Sequence, residues 1–146
     1  MPFEQGPYLN LATFCEQVIE DKSGVLSLIR IVDRMYVSAY GPSAPDEMPP
    51  ANLNWFLVIS LKSGEARGSQ TIKIIPELPS GLNKEPVTLS AHFEGGTRGQ
   101  NIISRVNMKL EMPGIYWFKI YLEDQFLTKV PVEVIYSRMS AVSPLV

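Results

Sequence analysis

The sequence predicts an all-β fold in a single domain that spans residues 1–146. Three observations indicate it. Apolar runs of about eight to twelve residues recur, they are rich in β-branched and aromatic residues, and glycine, proline or short polar residues separate them. Apolar residues within the runs alternate with a period of two. The spacing of three or four residues that indicates an amphipathic helix is hard to find in any window.

The first two predicted strands form a hairpin. Residues 8–20 form the first strand, and the polar residues and glycine of Asp21 to Gly24 favour a tight turn. Residues 25–37 then pair back on the first strand, and their apolar residues on both faces favour a central or covered strand. The next segment, 41–50, contains four prolines that fix φ and remove donors, so we expect an extended connection that could cross between sheets.

Four predicted strands fill the middle of the chain. Residues 53–61 alternate cleanly, with Leu57 and Ile59 on the face toward the core, and strands 69–75, 87–93 and 102–110 follow. The glycine-rich segment 94–100 lacks the Gly-Lys-Ser/Thr ending and the helix of a phosphate cradle. It is therefore predicted to be a mobile loop, and Arg98 at its tip is a candidate contact for an anionic partner.

Two strands close the chain. Residues 115–122 follow the turn Met112-Pro113-Gly114, and residues 126–136 return after a second turn, which makes this the clearest hairpin of eight predicted strands. Pro131 cannot donate to a ladder and predicts an edge position. The aromatic strand after Pro113-Gly114 resembles the region around the tyrosine corner of immunoglobulin-like sandwiches, with Tyr116 as the expected corner residue. The predicted architecture is therefore an immunoglobulin-like antiparallel β-sandwich of about eight strands. The cysteine and tryptophan spacing of antibody domains is absent, so the sequence predicts the architecture without membership of that family.

A second apolar face on strand 115–122 is the strongest indication of a binding surface. Tyr116 and Phe118 alternate toward the core, and the opposite face is also rich in apolar and aromatic residues. In an immunoglobulin-like topology the strand that carries Phe56 lies beside this one, and the two outward faces merge. The candidate binding face consists of Phe56, Val58, Ile115, Trp117, Lys119 and Tyr121. In the alternative interpretation the N-terminal segment, the tail 137–146 or the proline-rich connection covers this face.

No catalytic, cofactor or metal constellation is recognisable in the sequence. His92 is the single histidine and Cys15 the single cysteine, and without a local signature they fit a surface imidazole and a small buried thiol better than a base and its nucleophile. They cannot supply the ligands of a zinc site, and no dense carboxylate series for calcium exists. Acidic pairs lie in turns, and a glycosidase would need two carboxylates facing across a cleft. We therefore expect a non-enzyme without a cofactor.

Charge and composition restrict the partners. The net charge is −2 and the pI is about 5.4, so no broad positive field exists to attract nucleic acid. The start of the chain lacks the pattern of a signal peptide, no apolar run reaches the length of a membrane span, and Cys15 cannot form an internal disulfide. These features predict a cytoplasmic protein that does not contact membranes.

Three functions remain open at this point. The first is a non-catalytic interaction or oligomerisation module that binds another protein or a second copy of itself. The alternative is a carbohydrate-binding module in which Trp117 and Tyr121 stack on sugar rings, although secreted features that would favour it are missing. A hydrolase would need polar groups that converge in a cleft.

Parts of the sequence also resemble a known family. Phe14-Cys15-Glu16-Gln17-Val18-Ile19-Glu20 and the stretch from Gly24 to Arg34 carry the resemblance, and Pro113-Gly114-Ile115-Tyr116 and residues 127–134 are similar to its closing hairpin. The family consists of small bacterial, immunoglobulin-like proteins catalogued only as a domain of unknown function. The resemblance implies bacterial origin and a sandwich, and it implies a structural role for Cys15 as a small apolar residue; it carries no activity or site residues.

Overall fold

The computed structural model describes residues 5–139, and these form seven strands of one mixed sheet that curls into a half-barrel. The strands are β1 (Tyr8–Glu20), β2 (Leu26–Val32), β3 (Arg34–Tyr40), β4 (Ala51–Glu77), β5 (Val87–Leu110), β6 (Gly114–Leu122) and β7 (Gln125–Met139). Their order is β2-β1-β4-β6-β7-β3, and β5 pairs with β4 outside this path. The all-β prediction is confirmed, and the described part of the chain contains no helix that could cross a membrane.

The chain forms seven strands instead of the predicted eight, because two glycine-rich segments continue strands instead of ending them and the predicted strand 25–37 divides into two. β4 contains the predicted strands 53–61 and 69–75, and β5 contains 87–93 and 102–110. Gly64 and Gly68 in β4 adopt positive φ angles of 60° and 91°, and the register with β5 shifts between Lys62 and Arg67. Glycine and bulges let a strand bend sharply while its ladder continues. The prediction of a loop at residues 94–100 is therefore wrong, because these residues form the bend of β5.

This bend gives the sheet two halves. The first half of β4 pairs with β1, from Tyr8↔Lys62 to Cys15↔Phe56, whereas its second half pairs with β6, from Ile72↔Leu122 to Glu77↔Trp117. β5 follows β4 through both halves. The rings of Phe14 in β1 and Phe118 in β6 meet edge to face with centroids 4.8 Å apart, so the two halves face each other across the core.

The core lies on the concave side of the half-barrel and follows the period of two along each strand. Leu57 and Ile59 of β4 are fully buried, as the sequence predicts, and so are Phe118 and Ile120 of β6. The largest buried side chains are Tyr116, Phe14, Phe93, Phe118, Leu53, Leu57, Ile59, Leu61, Ile72, Leu110, Ile120 and Val58. All seven strands contribute to the core, directly or through half-buried apolar residues packed on it, and β2 does so through Val32 at its end.

The predicted strand 25–37 is two strands at opposite ends of the sheet. β2 pairs antiparallel with β1 after the predicted hairpin turn, whereas β3 lies parallel to β7, from Arg34↔Glu133 to Tyr40↔Met139. The prediction of a wholly antiparallel sheet is wrong for this pair. The edge position predicted for Pro131 is also wrong, because β7 lies between β6 and β3. The ladder with β3 starts at Glu133, so Pro131 lies just outside it and no β3 carbonyl needs a donor from this residue.

The proline-rich connection 41–50 joins β3 to β4 and packs against the core. Met48 is buried, the hydroxyl of Tyr136 donates to the Pro45 carbonyl at 2.6 Å, and Arg138 forms an ion pair with Asp46 at 2.8 Å. The connection is thereby held to the end of β7. Of the predicted tail, residues 137–139 belong to β7 and residues 140–146 lie outside the described part of the chain.

Tyr116 makes the hydrogen bond that its position at the start of β6 predicts. Its hydroxyl donates to the Met112 carbonyl oxygen at 2.6 Å, four residues upstream, while its ring is buried in the core. Burial raises the pKa of the phenol, with the hydrogen bond to Met112 opposing this effect. The residue thus fixes the turn Met112-Pro113-Gly114 onto the strand that follows, as a tyrosine corner does.

Candidate functional site

The outer face of β6 carries the row of side chains that the sequence predicts. Tyr116, Phe118, Ile120 and Leu122 are buried on one side, and Ile115, Trp117, Lys119 and Tyr121 lie on the other. Ile115 is exposed, and the other three outward residues are half-buried. Because β6 lies between β4 and β7, this row lies inside the sheet and not at an edge. It can therefore form the centre of a surface.

β7 extends this surface on one side. Phe126 lies opposite Tyr121, and their rings meet edge to face at a centroid distance of 5.5 Å. Pro131 lies opposite Trp117, and the ammonium group of Lys129 is 4.2 Å from the centroid of the Trp117 ring. A cation at this distance from an indole face is held by the ring quadrupole. Lys129 thus lies over the Trp117 ring, and Pro131 is the cross-strand neighbour of this tryptophan.

β3 extends the same surface beyond β7. Tyr36 pairs with Ile135 and Tyr40 with Met139 in the parallel ladder, so both tyrosines face outward with the odd-numbered residues of β7. Tyr36 is 62% exposed and Tyr40 is 52% exposed, compared with 49% for Phe126 and 45% for Ile115. We call Tyr36, Tyr40, Ile115, Trp117, Tyr121 and Phe126 the aromatic outer face.

Polar groups lie between and beside the residues of the aromatic outer face. Lys119 donates to Asn83 at 2.9 Å and lies 3.5 Å from the Glu77 carboxylate, so its charge is paired and half-buried. On the other side a shallow groove of about 230 Å³ lies between Trp117 and Ile115, and Asp33, Arg34, Pro131 and Glu133 also line it. The aromatic outer face therefore carries charged residues between its aromatic ones.

Phe56 and Val58 do not belong to this surface, and the predicted merging of the two outward faces is wrong. β4 does neighbour β6, but through residues 72–77, whereas Phe56 and Val58 lie in the first half between β1 and β5. Val58 is fully buried. It borders a separate cleft that residues 24–26 and Leu28 of the β1–β2 hairpin also line, so this part of the outer face is covered by the chain itself. Phe56 is half-buried beneath the guanidinium group of Arg105.

The candidate loop residue Arg98 lies at the bend of β5. Gly95 and Gly96 in front of it have positive φ angles of 93° and 65°, which glycine adopts at no steric cost. The Arg98 guanidinium pairs with the Glu94 carboxylate at 3.0 Å, and its side chain is largely exposed. This arrangement satisfies the charge locally, and the guanidinium group of Arg67 donates to the backbone carbonyl of the same Glu94 at 3.0 Å.

His92 and Cys15 lie in different surroundings. His92 is exposed, its Nδ1 lies 3.3 Å from the Ser69 hydroxyl, and its backbone N–H donates to the side-chain carbonyl of Gln100. Neither contact is an acid that could orient a catalytic base. Cys15 is buried, and desolvation raises the pKa of its thiol, which opposes formation of a reactive thiolate. Within residues 5–139, no three metal-binding side chains cluster.

Sequence reasoning missed Tyr36, Tyr40 and Phe126. The alternation of residues 34–40, with Met35 and Val37 packed on the core, could have indicated two outward tyrosines. Their position beside β7 could not be found, because a parallel pairing between distant segments leaves no local signal. Phe126 directly follows the turn between β6 and β7, so the hairpin register places it opposite Tyr121.

Comparison with known proteins gives the family and no activity. No curated protein matches the chain. A family of unknown function, DUF6941, matches residues 10–135, which include five strands in full and most of β1 and β7. On this match the chain belongs to the DUF6941 family.

Proposed function

We propose that the chain is a non-catalytic protein-interaction module that binds a second copy of itself or another protein through the aromatic outer face. The observation that carries the proposal is the row of exposed apolar side chains along the outer face of three adjacent strands, from Phe126 at one end through Ile115 to Tyr36 and Tyr40 at the other. Single exposed apolar residues are normal, but several on one face of a sheet favour an interface. Aromatic side chains contribute most to such interfaces because they bury large areas with few rotatable bonds.

Binding of a protein is favoured over binding of a carbohydrate by the packing around Trp117. Sugar recognition by stacking needs an open ring face. Lys129 lies over the Trp117 ring and Phe126 contacts Tyr121 edge to face, so neither residue offers the flat exposed platform that stacking would use. A protein partner can bury the same side chains in the arrangement they already have.

The remaining parts of the proposal concern relationship and location. The hydrogen bond from Tyr116 to Met112 and the packing of the two halves across Phe14 and Phe118 support a relationship to immunoglobulin-like sandwiches. The single cysteine, buried as a free thiol, is compatible with the proposed cytoplasmic location. Bacterial origin rests on the family resemblance alone.

The first test is the mass of the purified protein by light scattering over a concentration series. We expect a reversible dimer that Tyr36→Lys combined with Phe126→Lys abolishes, because two charges then lie in the interface. Ile103→Lys is the matched control, since Ile103 is also an exposed apolar residue but lies on the outer face of the first half. Circular dichroism checks that all variants are folded.

A strict monomer at every concentration would exclude self-association and leave a foreign partner. In that case the wild-type chain and the two variants are used in parallel to capture proteins from the source cells. A protein that binds the wild type and Ile103→Lys but not the double variant supports the aromatic outer face as its site. Equal capture by all three chains, or equal loss in all variants, contradicts the proposal.

A further inference from the structure

β5 is an edge strand along its whole length. Within residues 5–139 its partner strand is β4 alone, so the other side of this 24-residue strand faces no strand. Natural sheets protect such edges with prolines, bulges or charges that point toward the core. In the part from Gly99 to Leu110 there is no proline, and the ladder with β4 runs without a shift from Lys62↔Gly99 to Ala51↔Leu110. This part of β5 is straight enough to accept another strand.

A cleft of about 490 Å³ opens along the same part of β5. Its lining includes five consecutive residues, 104–108, and consecutive residues of a strand point to opposite faces. The cleft therefore reaches the edge of the strand itself. Its opposite wall comes from the apolar residues Ile74, Pro76, Val87 and the buried ring of Phe118, and the charged residues Lys84 and Glu85 also line it. The cleft is thus the open side of the half-barrel, between the two halves.

The two faces of this edge differ in character. Toward the cleft it presents Val106 and Met108, which pack against the core. On the outer face it carries Arg105 and Lys109, and these cations are the only charged residues between Gly99 and Leu110. Arg105 is held by Asn54 at 3.0 Å, and Lys109 is 60% exposed with its ammonium 3.8 Å from the Glu111 carboxylate. The edge is therefore apolar on one face and cationic on the other.

We propose that β5 binds an extended peptide of a partner protein as an added strand, with apolar side chains in the cleft and acidic side chains beside Arg105 and Lys109. Strand addition obtains affinity from the backbone edge and specificity from the alternate side chains. Opposite charges across neighbouring strands stabilise the pairing, and like charges destabilise it. A second copy of β5 would bring its own two cations to the shared edge, so the charges favour an acidic partner. This site is separate from the aromatic outer face and does not depend on it.

The probe is a labelled peptide, fluorescein-(Val-Glu)₄-amide, with fluorescein-(Val-Lys)₄-amide as its counterpart, and binding is followed by fluorescence anisotropy. We expect the wild-type chain to prefer the glutamate peptide. Arg105→Glu with Lys109→Glu should weaken its binding about tenfold and favour the lysine peptide, because two attractive cross-strand pairs become repulsive. Lys22→Glu with Arg30→Glu changes the net charge equally within the β1–β2 hairpin, and it should bind as the wild type does.

Hydrogen exchange locates the peptide. Bound glutamate peptide should protect backbone amides within residues 104–108, since an added strand supplies acceptors to this edge. The proposal is overturned if neither peptide binds at millimolar concentration, if both charge variants lose binding equally, or if the protection lies elsewhere. Tyr36→Lys with Phe126→Lys should bind the peptide normally. Failure of this site and failure of the aromatic outer face are therefore separate results.

Discussion

Replacement of Tyr116 by phenylalanine removes one hydroxyl and leaves the packing of the ring in place. That hydroxyl donates to the Met112 carbonyl at 2.6 Å, and the ring is 1% exposed. A neutral hydrogen bond contributes about 0.5 to 1.5 kcal/mol net, and more is lost where the remaining partner is sealed from water. Met112 is exposed, so water can replace the donor. We expect Tyr116→Phe to lower the free energy of unfolding by about 1 kcal/mol.

Urea unfolding followed by tryptophan fluorescence measures this loss. The midpoint should fall while the slope of the free energy against urea stays constant, since the area exposed on unfolding is unchanged. For a domain of this size, about 1 kcal/mol corresponds to a decrease in Tm of about 2 to 4 °C. Tyr40→Phe is the matched control, because it removes the same group from a ring that is 52% exposed. Its effect should stay within about 0.5 kcal/mol.

The reasoning is refuted if Tyr116→Phe unfolds at the wild-type midpoint, or if Tyr40→Phe loses as much stability. Either result would mean that the hydrogen bond does not hold the turn to β6. Tyr116→Ala cannot decide the question, because removing a buried aromatic ring costs about 3 to 5 kcal/mol whether or not its hydroxyl is bonded.

Three further predictions concern single residues. Burial raises the pKa of the Cys15 thiol, so the unfolded chain loses this proton at a lower pH than the folded chain does. The free energy of unfolding should therefore fall as the pH rises above the ordinary thiol pKa of 9.0. Urea unfolding between pH 8 and pH 10, about the range over which thiols titrate, should show a smaller fall in Cys15→Ala. The Asp21 carboxylate accepts hydrogen bonds from the Ser23 hydroxyl and from the Ser23 and Val25 backbone N–H groups, and these bonds lower its pKa. Asp21→Asn should therefore speed amide hydrogen exchange in this turn at neutral pH. The difference from the wild type should vanish at acid pH, where Asp21 itself is protonated. A Cβ atom at Gly99 would lie 1.8 Å from the Leu61 carbonyl oxygen, whereas a Cβ atom at Gly24 would meet open space although the backbone there is strained. Gly99→Ala should therefore lower the free energy of unfolding by more than the roughly 1 kcal/mol expected for Gly24→Ala. Thermal unfolding of both variants checks this, and equal losses of stability would contradict it.

Local patterns predicted those parts of the fold that depend on neighbouring residues. The alternation of β6, the turn at Asp21 and the closing hairpin are confirmed. Alternating burial and the residue preferences of tight turns depend only on residues that are adjacent in the sequence. The position of Tyr116 at a corner is confirmed for the same reason. These elements needed no knowledge of distant segments.

The errors have two physical causes. The glycines at 64, 68, 95 and 96 indicate the ends of strands, but in β4 and β5 they form bends within strands. A positive φ angle at glycine is compatible with either a loop or a bend, so the sequence does not distinguish them. Residues 25–37 carry no strong breaker, yet the chain leaves one end of the sheet at Asp33 and joins the other, where β7 pairs with β3. Tertiary pairing decides this and local propensity does not.

The candidate binding face was predicted in part for the same reasons. Ile115, Trp117, Lys119 and Tyr121 lie together on one face because alternation within one strand places them there. Phe56 and Val58 were assigned by assuming which strands are neighbours, and the bend of β4 takes them to the other half. A sequence can thus indicate the row on a strand more reliably than the surface that several strands form.

The pairing of β3 with β7 also has a consequence for synthesis on the ribosome. Arg34 pairs with Glu133, a residue that is made 99 positions later. At elongation rates of about 5 to 20 residues per second, β3 waits about 5 to 20 s for its partner strand. During this time Tyr36 and Tyr40 belong to a strand without its neighbour, which is the condition under which nascent chains aggregate. The nascent chain therefore passes through a period in which chaperones have a defined segment to protect.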